Sequence, residues 1–391
     1  RDREFIGPHW GHVEGFALPT GAEDGLPMDP GAPPLLGDAE SDRAFKTDAV
    51  EVVRLSTTLD PSDGVVVDIS PAAQGANPLG TYDGTGHDVN PVTGQPYEPQ
   101  RVPRADFARV LAEFWADGPS SETPPGHWNT IANEVSDRLD PDLRIGGTGE
   151  PVDRLHWDVA MYLALNGATH DAAIAAWGAK GHYDYVRPIS MIRHMGGLGQ
   201  SSDPEAPAYH SDGLPLEPGL VEVVTPTSSS PGQRHEHLAA HVGEVAVLSW
   251  TGVPDDPESG MGGVDWVLAV DWVPYQMPTF VTPSFAAYVS GHSAFSRAAA
   301  EVLAGITGSP YFPDGLGEWR VPAGSLEFEA GPSVDVVLQW ATYADAADQA
   351  GISRLYGGIH VRSDDLRGRI LGEACGAAAW AMASRYIGGE V

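Results

Sequence analysis

The run from Arg154 to Gly178 constrains the fold more than any other stretch. It is long, apolar and Ala-rich, and Trp157, Met161, Leu165 and Ala168 recur at intervals of three or four residues. That spacing puts them on one stripe of an α-helix, and a stripe so apolar must be buried against other helices. The same periodicity predicts a helix over Arg104–Asp117, with Phe107, Val110, Leu111, Phe114 and Trp115 on its inner face. Pro124 or Pro125 opens the next, through His127 to Leu139. Further helices are expected over Gln233–Trp250, Ser293–Ile306, Val334–Ala350 and Asp364–Tyr386. Nothing alternates strand with helix as a parallel sheet would require, so the expected class is all-α with long, loop-rich connections.

The first 100 residues read differently. Residues 1–45 are rich in Gly, Pro and acidic side chains, and the stretch 60–100 is rich in turn signals. Residues 1–100 are therefore expected to form a loop-rich arm packed on a helical domain spanning 101–391. Within the arm, Asp48–Leu55 suggests one or two helical turns and Val65–Ile69 a short strand. The oxygen-rich run Asp83–Asn90 lacks the spacing to a terminal Glu that a calcium loop needs, and reads as a turn cluster. Two long connections, 196–232 and 251–284, interrupt the helical part. Trp266 and Trp272 lie in the second, and exposed rings there would allow a homo-oligomer.

Composition excludes some partners. With 54 acidic and 22 basic residues the formal net charge is −32, which argues against nucleic acid and anionic membranes. No apolar run of about 18 residues occurs, so no transmembrane helix is expected. The chain opens at Arg1 with no signal-peptide pattern, which suggests a processed or truncated chain. Cys375, the single cysteine, sits in an Ala-rich helical run and is expected in the core.

Three short blocks carry the chemistry. In the first, Lys180-Gly-His-Tyr-Asp-Tyr-Val-Arg187-Pro188 follows the long helix. Lys180 is one of only two lysines, with Lys46, in a chain that otherwise uses Arg, which hints that a compact ammonium is wanted. Pro188 disfavours helical geometry at Arg187 and restricts where its side chain points. The second block is Tyr288-Val289-Ser290-Gly291-His292 ahead of a helix, whose free N–H groups could join the Ser290 hydroxyl and the Gly291 amide around an anion. The third is Ser353-Arg354, then Gly357-Gly358, then His360 and Asp364. If a helix begins near His360, Asp364 lies one turn on and can orient the imidazole. Each block alone is matched by a bland reading: a snorkelling Lys–Arg pair, a Ser/Gly helix cap, a surface histidine. Together they bring three cations to one place, which is costly unless an anion of comparable charge fills it. The guest with that charge and shape is a tetrahedral or trigonal-bipyramidal oxyanion, phosphate or vanadate. His237 and His241 also share a helical spacing, but nothing near them completes a metal site and they read as core or surface residues.

The ordered set Lys-x6-Arg-Pro, Ser-Gly-His and Ser-Arg-x5-His-x3-Asp resembles the superfamily shared by vanadium-dependent haloperoxidases and type 2 phosphatidic acid phosphatases. The match runs from Lys180 to Asp364, about half the chain. The resemblance implies helical bundles with the anion at one end, and vanadate as cofactor, with phosphate able to take the same place. It implies His360 as the axial vanadium ligand, Lys180, Arg187 and Arg354 on the equatorial oxygens, and Ser290 and the Gly291 amide as hydrogen-bond donors. It implies His292 as the acid–base group and Asp364 as the residue that orients His360. The gap of about a hundred residues between the first two blocks, and the run Phe285–His292, look like the haloperoxidase branch. Val289 departs from it, since a Pro is common there. Phe285, five before the motif serine, tilts the expectation toward chloride competence alongside bromide. Hydrogen peroxide, a halide and a small organic acceptor are the implied partners, with export to a secreted or periplasmic location. The alternative on the same residues is a soluble acid phosphatase working through a phosphohistidine at His360. A third, non-enzymatic reading is an oxyanion- or calcium-binding scaffold, which would not need His292 as well as His360.

Overall fold

A computed structural model of the chain describes residues 7, 9–18, 26–118 and 120–390. The parts of the expected N-terminal arm at 1–6, 8 and 19–25 lie outside the described residues. Eight α-helices are present among the described residues: α1 (Asp42–Ser56), α2 (Arg104–Phe114), α3 (Pro124–Arg138), α4 (Arg154–Tyr183), α5 (Pro188–Leu198), α6 (Gly291–Thr307), α7 (Tyr343–Tyr356) and α8 (Arg362–Ile387).

The centre is a bundle of α4, α6, α7 and α8. The α4 stripe is buried as its spacing demands: Trp157, Met161, Leu165 and Ala168 are all in the core. Helices α6 and α8 come together across small residues. A Cβ on Gly372 would stand 2.3 Å from the Ala294 carbonyl oxygen, and one on Gly376 would stand 2.6 Å from that of Ala298. Glycine at these positions sets the close approach of the two helices. Cys375, also on α8, is buried in the core with its Sγ 3.7 Å from Met28 Sδ.

The helix ends follow local chemistry. Asp153 caps α4 by accepting from the His156 N–H at 2.9 Å. That helix stops at Asp184, which has φ +43, one of the few non-glycine residues in the left-handed region. Arg187 is extended (φ −89, ψ 156) and Pro188 is the first residue of α5, as the proline dictates. Thr342 and Asp345 form a reciprocal capping box on α7.

Among the described residues, three small antiparallel sheets decorate the bundle. Strands β1 (Val66–Asp68) and β2 (Arg101–Pro103) pair, with Val67 opposite Val102. Strands β3 (Val221–Val223), β4 (Val245–Trp250) and β5 (Val264–Leu268) form a sheet in that order, with β4 central. Strands β6 (Gly317–Val321) and β7 (Val336–Trp340) make a third pair, with Trp319 opposite Leu338.

Two helices expected from the sequence are corrected. Gln233–Trp250 is a short 3-10 turn, Glu236–His241, followed by β4. Gly243, at φ +99, breaks the run between them. The Val245–Leu248 segment is then covered on both faces, so it carries no period-two signal to betray the strand. The expected helix Val334–Ala350 splits into β7 and the first half of α7. Val336, Leu338 and Trp340 alternate inward, and β-branched residues suit a pleated surface. The short helix expected over Asp48–Leu55 is longer, as α1. Asp83–Asn90 is a turn cluster anchored by His87, whose Nε2 lies 2.8 Å from Asp345 Oδ2. Trp266 and Trp272 are buried, so these two rings offer no surface for self-association.

Candidate active site

Helix α4, the loop before α6 and the α7–α8 junction deliver the three sequence blocks to one place. Lys180 is on the last turn of α4 and is completely buried. Its ammonium donates to the carbonyls of Ala286 (3.0 Å), Ala287 (2.8 Å) and Val289 (2.6 Å), and so clamps the segment leading to Ser290. Arg187 donates through Nε to the Phe285 carbonyl at 3.1 Å and through Nη1 to that of Ile359 at 2.8 Å. The same Nη1 lies 3.0 Å from His360 Nε2. Arg187 Nη2 is buried without a hydrogen-bond partner among the described residues. Arg354, on the last turn of α7, donates to the Ser353 hydroxyl at 2.9 Å and to the Ala112 carbonyl.

His360 is fixed from both sides. Its Nδ1 is 2.8 Å from Asp364 Oδ2, while Nε2 faces an arginine that can only donate. Nε2 must therefore be the acceptor and Nδ1 the protonated nitrogen, which makes His360 a neutral imidazole held by a carboxylate. Burial first, then the charges of Arg187 and Lys180, push its pKa well below the ordinary histidine range. Asp364 also accepts from the Val361 N–H at 3.2 Å at the start of α8, and burial raises its carboxyl to about 7. Its carbonyl accepts from the Ser290 N–H at 3.0 Å, tying the second block to the third. Ser290 caps α6, its hydroxyl accepting from the Ser293 N–H at 3.3 Å. The plain cap reading thus describes that hydroxyl, and Gly291 begins the helix.

The cations are strained electrostatically. Burial, with the nearby Arg187 charge, lowers Lys180 well below its ordinary value. Burial lowers Arg187 and Arg354 to about 10. Their donors go to carbonyls, a hydroxyl and the His360 ring, and the carboxylates they feel, Asp364 and Asp117, are each already engaged by a histidine. Three buried positive groups and an orphaned guanidinium nitrogen are a donor set that fits an oxyanion carrying more than one negative charge.

His292 stands on the first turn of α6, with Nε2 2.7 Å from Asp117 Oδ2. Burial lowers its pKa, and the Asp117 carboxylate opposes that. Asp117, just beyond α2, was not among the residues expected from the sequence. No motif surrounds it, and its φ of +54 shows only in three dimensions. Trp177 was missed as well. Its ring centroid is 5.0 Å from that of Phe285, and the Lys180 ammonium lies 5.5 Å and 5.3 Å from the two rings. Arg187 Cζ is 5.1 Å from the Phe285 ring centroid. The signal for Trp177 was available, because it precedes Lys180 by three residues on a helix and must share its face. His237, by contrast, is spent elsewhere, with Nε2 2.8 Å from the Trp266 carbonyl oxygen, and His241 pairs with Glu244.

Residues 160–389 match the family described as VCPO second helical-bundle domain. The chain belongs to this family, that of vanadium haloperoxidase-type proteins. Among solved structures it resembles an apo-type bacterial vanadium-dependent chloroperoxidase, at TM-score 0.59 and 18% identity, covering 100% of this chain and 58% of that one. The holo-type bacterial chloroperoxidase gives TM-score 0.53 at 19% identity, covering 98% and 56%. A bacterial vanadium-dependent iodoperoxidase gives 0.51 at 18%, covering 97% and 58%. The chain thus spans less than two-thirds of the length of these structures, and at such identities they establish a shared fold. No curated protein matches the chain. Among the described residues no helix is long and apolar enough to cross a membrane.

Proposed function

We propose that this vanadium haloperoxidase-type protein is a vanadate-dependent enzyme that oxidises a halide with hydrogen peroxide and so halogenates a small organic acceptor. The observation that carries the reading is the convergence of buried Lys180, Arg187 and Arg354 on a neutral His360 oriented by Asp364. When bound, vanadate supplies Lewis-acid activation of peroxide.

The chain's own residues supply the rest. His360 would ligate vanadium through Nε2, which requires Arg187 Nη1 to turn from the ring to the oxyanion. Arg187 and Arg354 would donate to the oxygens, with the free Arg187 Nη2 the first donor available. Lys180 would act chiefly through its charge, since three carbonyls already take its protons. Ser290 and the Gly291 amide would add donors at the start of α6. His292, held by Asp117, would hold and release a proton as the acid–base group beside the anion. The Trp177 and Phe285 rings form an apolar wall beside the cations, a surface that favours a weakly hydrated halide over water.

The test is monochlorodimedone bromination with hydrogen peroxide, before and after orthovanadate is added to metal-free protein. Activity that depends on vanadate supports the reading, and chloride in place of bromide then tests Phe285. Hydrolysis of p-nitrophenyl phosphate by the vanadate-free protein, with no bromination in either state, would replace it with the phosphohistidine phosphatase.

A further inference from the structure

Asp117 is gripped on one oxygen and faced on the other. Oδ2 pairs with His292 Nε2 at 2.7 Å, while Oδ1 lies 3.6 Å from Nδ1 of His127 on α3. Asp117 Oδ1, His127 Nδ1 and His127 Nε2 are all buried, and none has a hydrogen-bond partner among the described residues. A buried polar atom without a partner is costly, and two complementary ones facing each other need only a few tenths of an ångström to pair. The His127 ring is held for this by aromatic neighbours. It stacks on Trp115 with centroids 4.9 Å apart and meets the edge of Phe114 at 4.6 Å.

We infer that His127 is a positioning residue for His292, acting through Asp117: the two histidines share one carboxylate, and His127 sets how much of its charge His292 receives. The assignment of His292 as the acid–base group rests on the function proposed above, but the coupling itself does not. A donor on Oδ1 withdraws negative charge from Oδ2, which weakens the hold on the protonated His292 ring. It also steadies a carboxylate whose residue occupies a left-handed conformation.

The groups that bear on this trio are few. Arg354 faces Asp117 and His292 from α7, and His360, with Arg187 and Lys180 behind it, faces His292 from the anion site. On the outer side His127 borders a cavity of about 210 Å³ shared with Glu113, Glu122 and Glu327. Glu113, hydrogen-bonded to the Tyr275 hydroxyl at 2.7 Å, is raised by burial to about 7. A limb of an activity profile near that pH therefore cannot by itself report on His292.

The deciding measurement is a pH titration of the imidazole nitrogens by ¹⁵N NMR in vanadate-free protein, with His292 assigned through its variant. His127→Phe keeps the aromatic stack and removes the donor, and the His292 pKa should rise by about one unit, a tenfold change in its protonated fraction. His127→Asn, whose amide nitrogen stands near the place of Nδ1, should return most of that shift. An unmoved His292 in His127→Phe, or equal shifts in both variants, would overturn the inference. If the Phe variant does not fold, the wild-type spectrum decides. His127 must carry its proton on Nδ1 across the range in which His292 titrates, and an Nε2-protonated His127 there refutes the coupling. Because no vanadate or peroxide is used, failure here is distinct from failure of the proposed activity.

Discussion

Two buried charge clusters lie side by side on α7 and α8, and they are built on opposite principles. Asp364 and Asp365 are neighbours on the first turn of α8, both fully buried. Asp365 belongs to a balanced cluster. Its carboxylate takes Arg369 at 3.0 Å and 2.6 Å, the Ser293 hydroxyl at 2.6 Å and the Tyr82 hydroxyl, and Arg369 also meets Asp348 at 3.1 Å. There the two carboxylates outweigh burial and raise the Arg369 pKa above its ordinary value. Asp364 belongs to the cluster with Lys180, Arg187 and Arg354, in which burial lowers every cation. One residue along the chain separates a site whose arginine is already paired with carboxylates from one whose cations fit a further anion. Buried charge holds a fold together when it is paired, and marks a binding site when it is not.

The comparison breaks most visibly at Arg369. Arg369→Met leaves Asp365 and Asp348 buried without their partner, a change that costs about 3–5 kcal/mol. Chemical denaturation should show that loss, while phosphate affinity of the protein that remains folded stays within about twofold, roughly 0.4 kcal/mol, because Arg369 shares no hydrogen-bond partner with Lys180, Arg187 or Arg354. Lys180→Met should invert the pattern. Removing a charge that already suffers from burial costs less stability, but phosphate and vanadate affinity should fall about a hundredfold, near 2.7 kcal/mol. Equal losses of stability and affinity in both variants would show that the two clusters do not differ in kind.

One half of this distinction was legible in the sequence, and the half that was not has physical reasons. The Lys180, Arg187, Ser290, His292, Arg354, His360 and Asp364 positions could be read because each lies in a short local pattern tied to a helix end, where backbone geometry is predictable. The α4 helix was legible because a stripe of buried residues repeats with the helix period. Asp117 and His127 were not, because they reach the site from α2 and α3 with no local pattern and matter only through contact with each other and His292. Strands β4 and β7 were misread as helices because short apolar runs look alike in either state, and only pairing with β5 and β6 decides between them. The Asp365–Arg369 cluster passed unnoticed for a similar reason. An Asp and an Arg four apart on a helix are common on surfaces, and the sequence does not show that Tyr82 arrives from the N-terminal region to close over them.

The unpaired cluster should also reveal itself through pH. Lys180 has a folded-state pKa depressed below 10.5, by burial and then by the Arg187 charge. In the free protein its charge is therefore lost on raising the pH sooner than that of an ordinary lysine, and the anion site loses a cation. Binding an anion favours the protonated form, so binding takes up a proton and affinity falls as pH rises, by at most about tenfold per unit for one group. The slope begins as the pH rises past the depressed pKa. Phosphate titrations by calorimetry between pH 7 and 10 measure it, and Lys180→Arg, which stays charged throughout, should flatten it. A slope unchanged by that substitution would assign the titration to another group and remove Lys180 from the anion site.

The smallest expected effect concerns the aromatic wall. Phe285→Leu keeps an apolar side chain beside the cations but removes the ring that lies 5.3 Å from the Lys180 ammonium and 5.1 Å from Arg187 Cζ. A cation–π contact in a partly desolvated place is worth about 0.5–2 kcal/mol, and here two cations lie near one ring. Losing it destabilises the charged Lys180 and should move the pH slope to lower pH by a few tenths of a unit, while phosphate affinity near neutrality falls by no more than about threefold, roughly 0.6 kcal/mol. The Asp365–Arg369 cluster has its own ring, Tyr82, 4.8 Å from Arg369 Cζ. There Tyr82→Leu also removes a hydrogen bond to a buried carboxylate, so its cost should appear in stability and leave anion binding alone. If Phe285→Leu instead lowered stability and spared the pH slope, the ring would be packing for the bundle rather than part of the cation site.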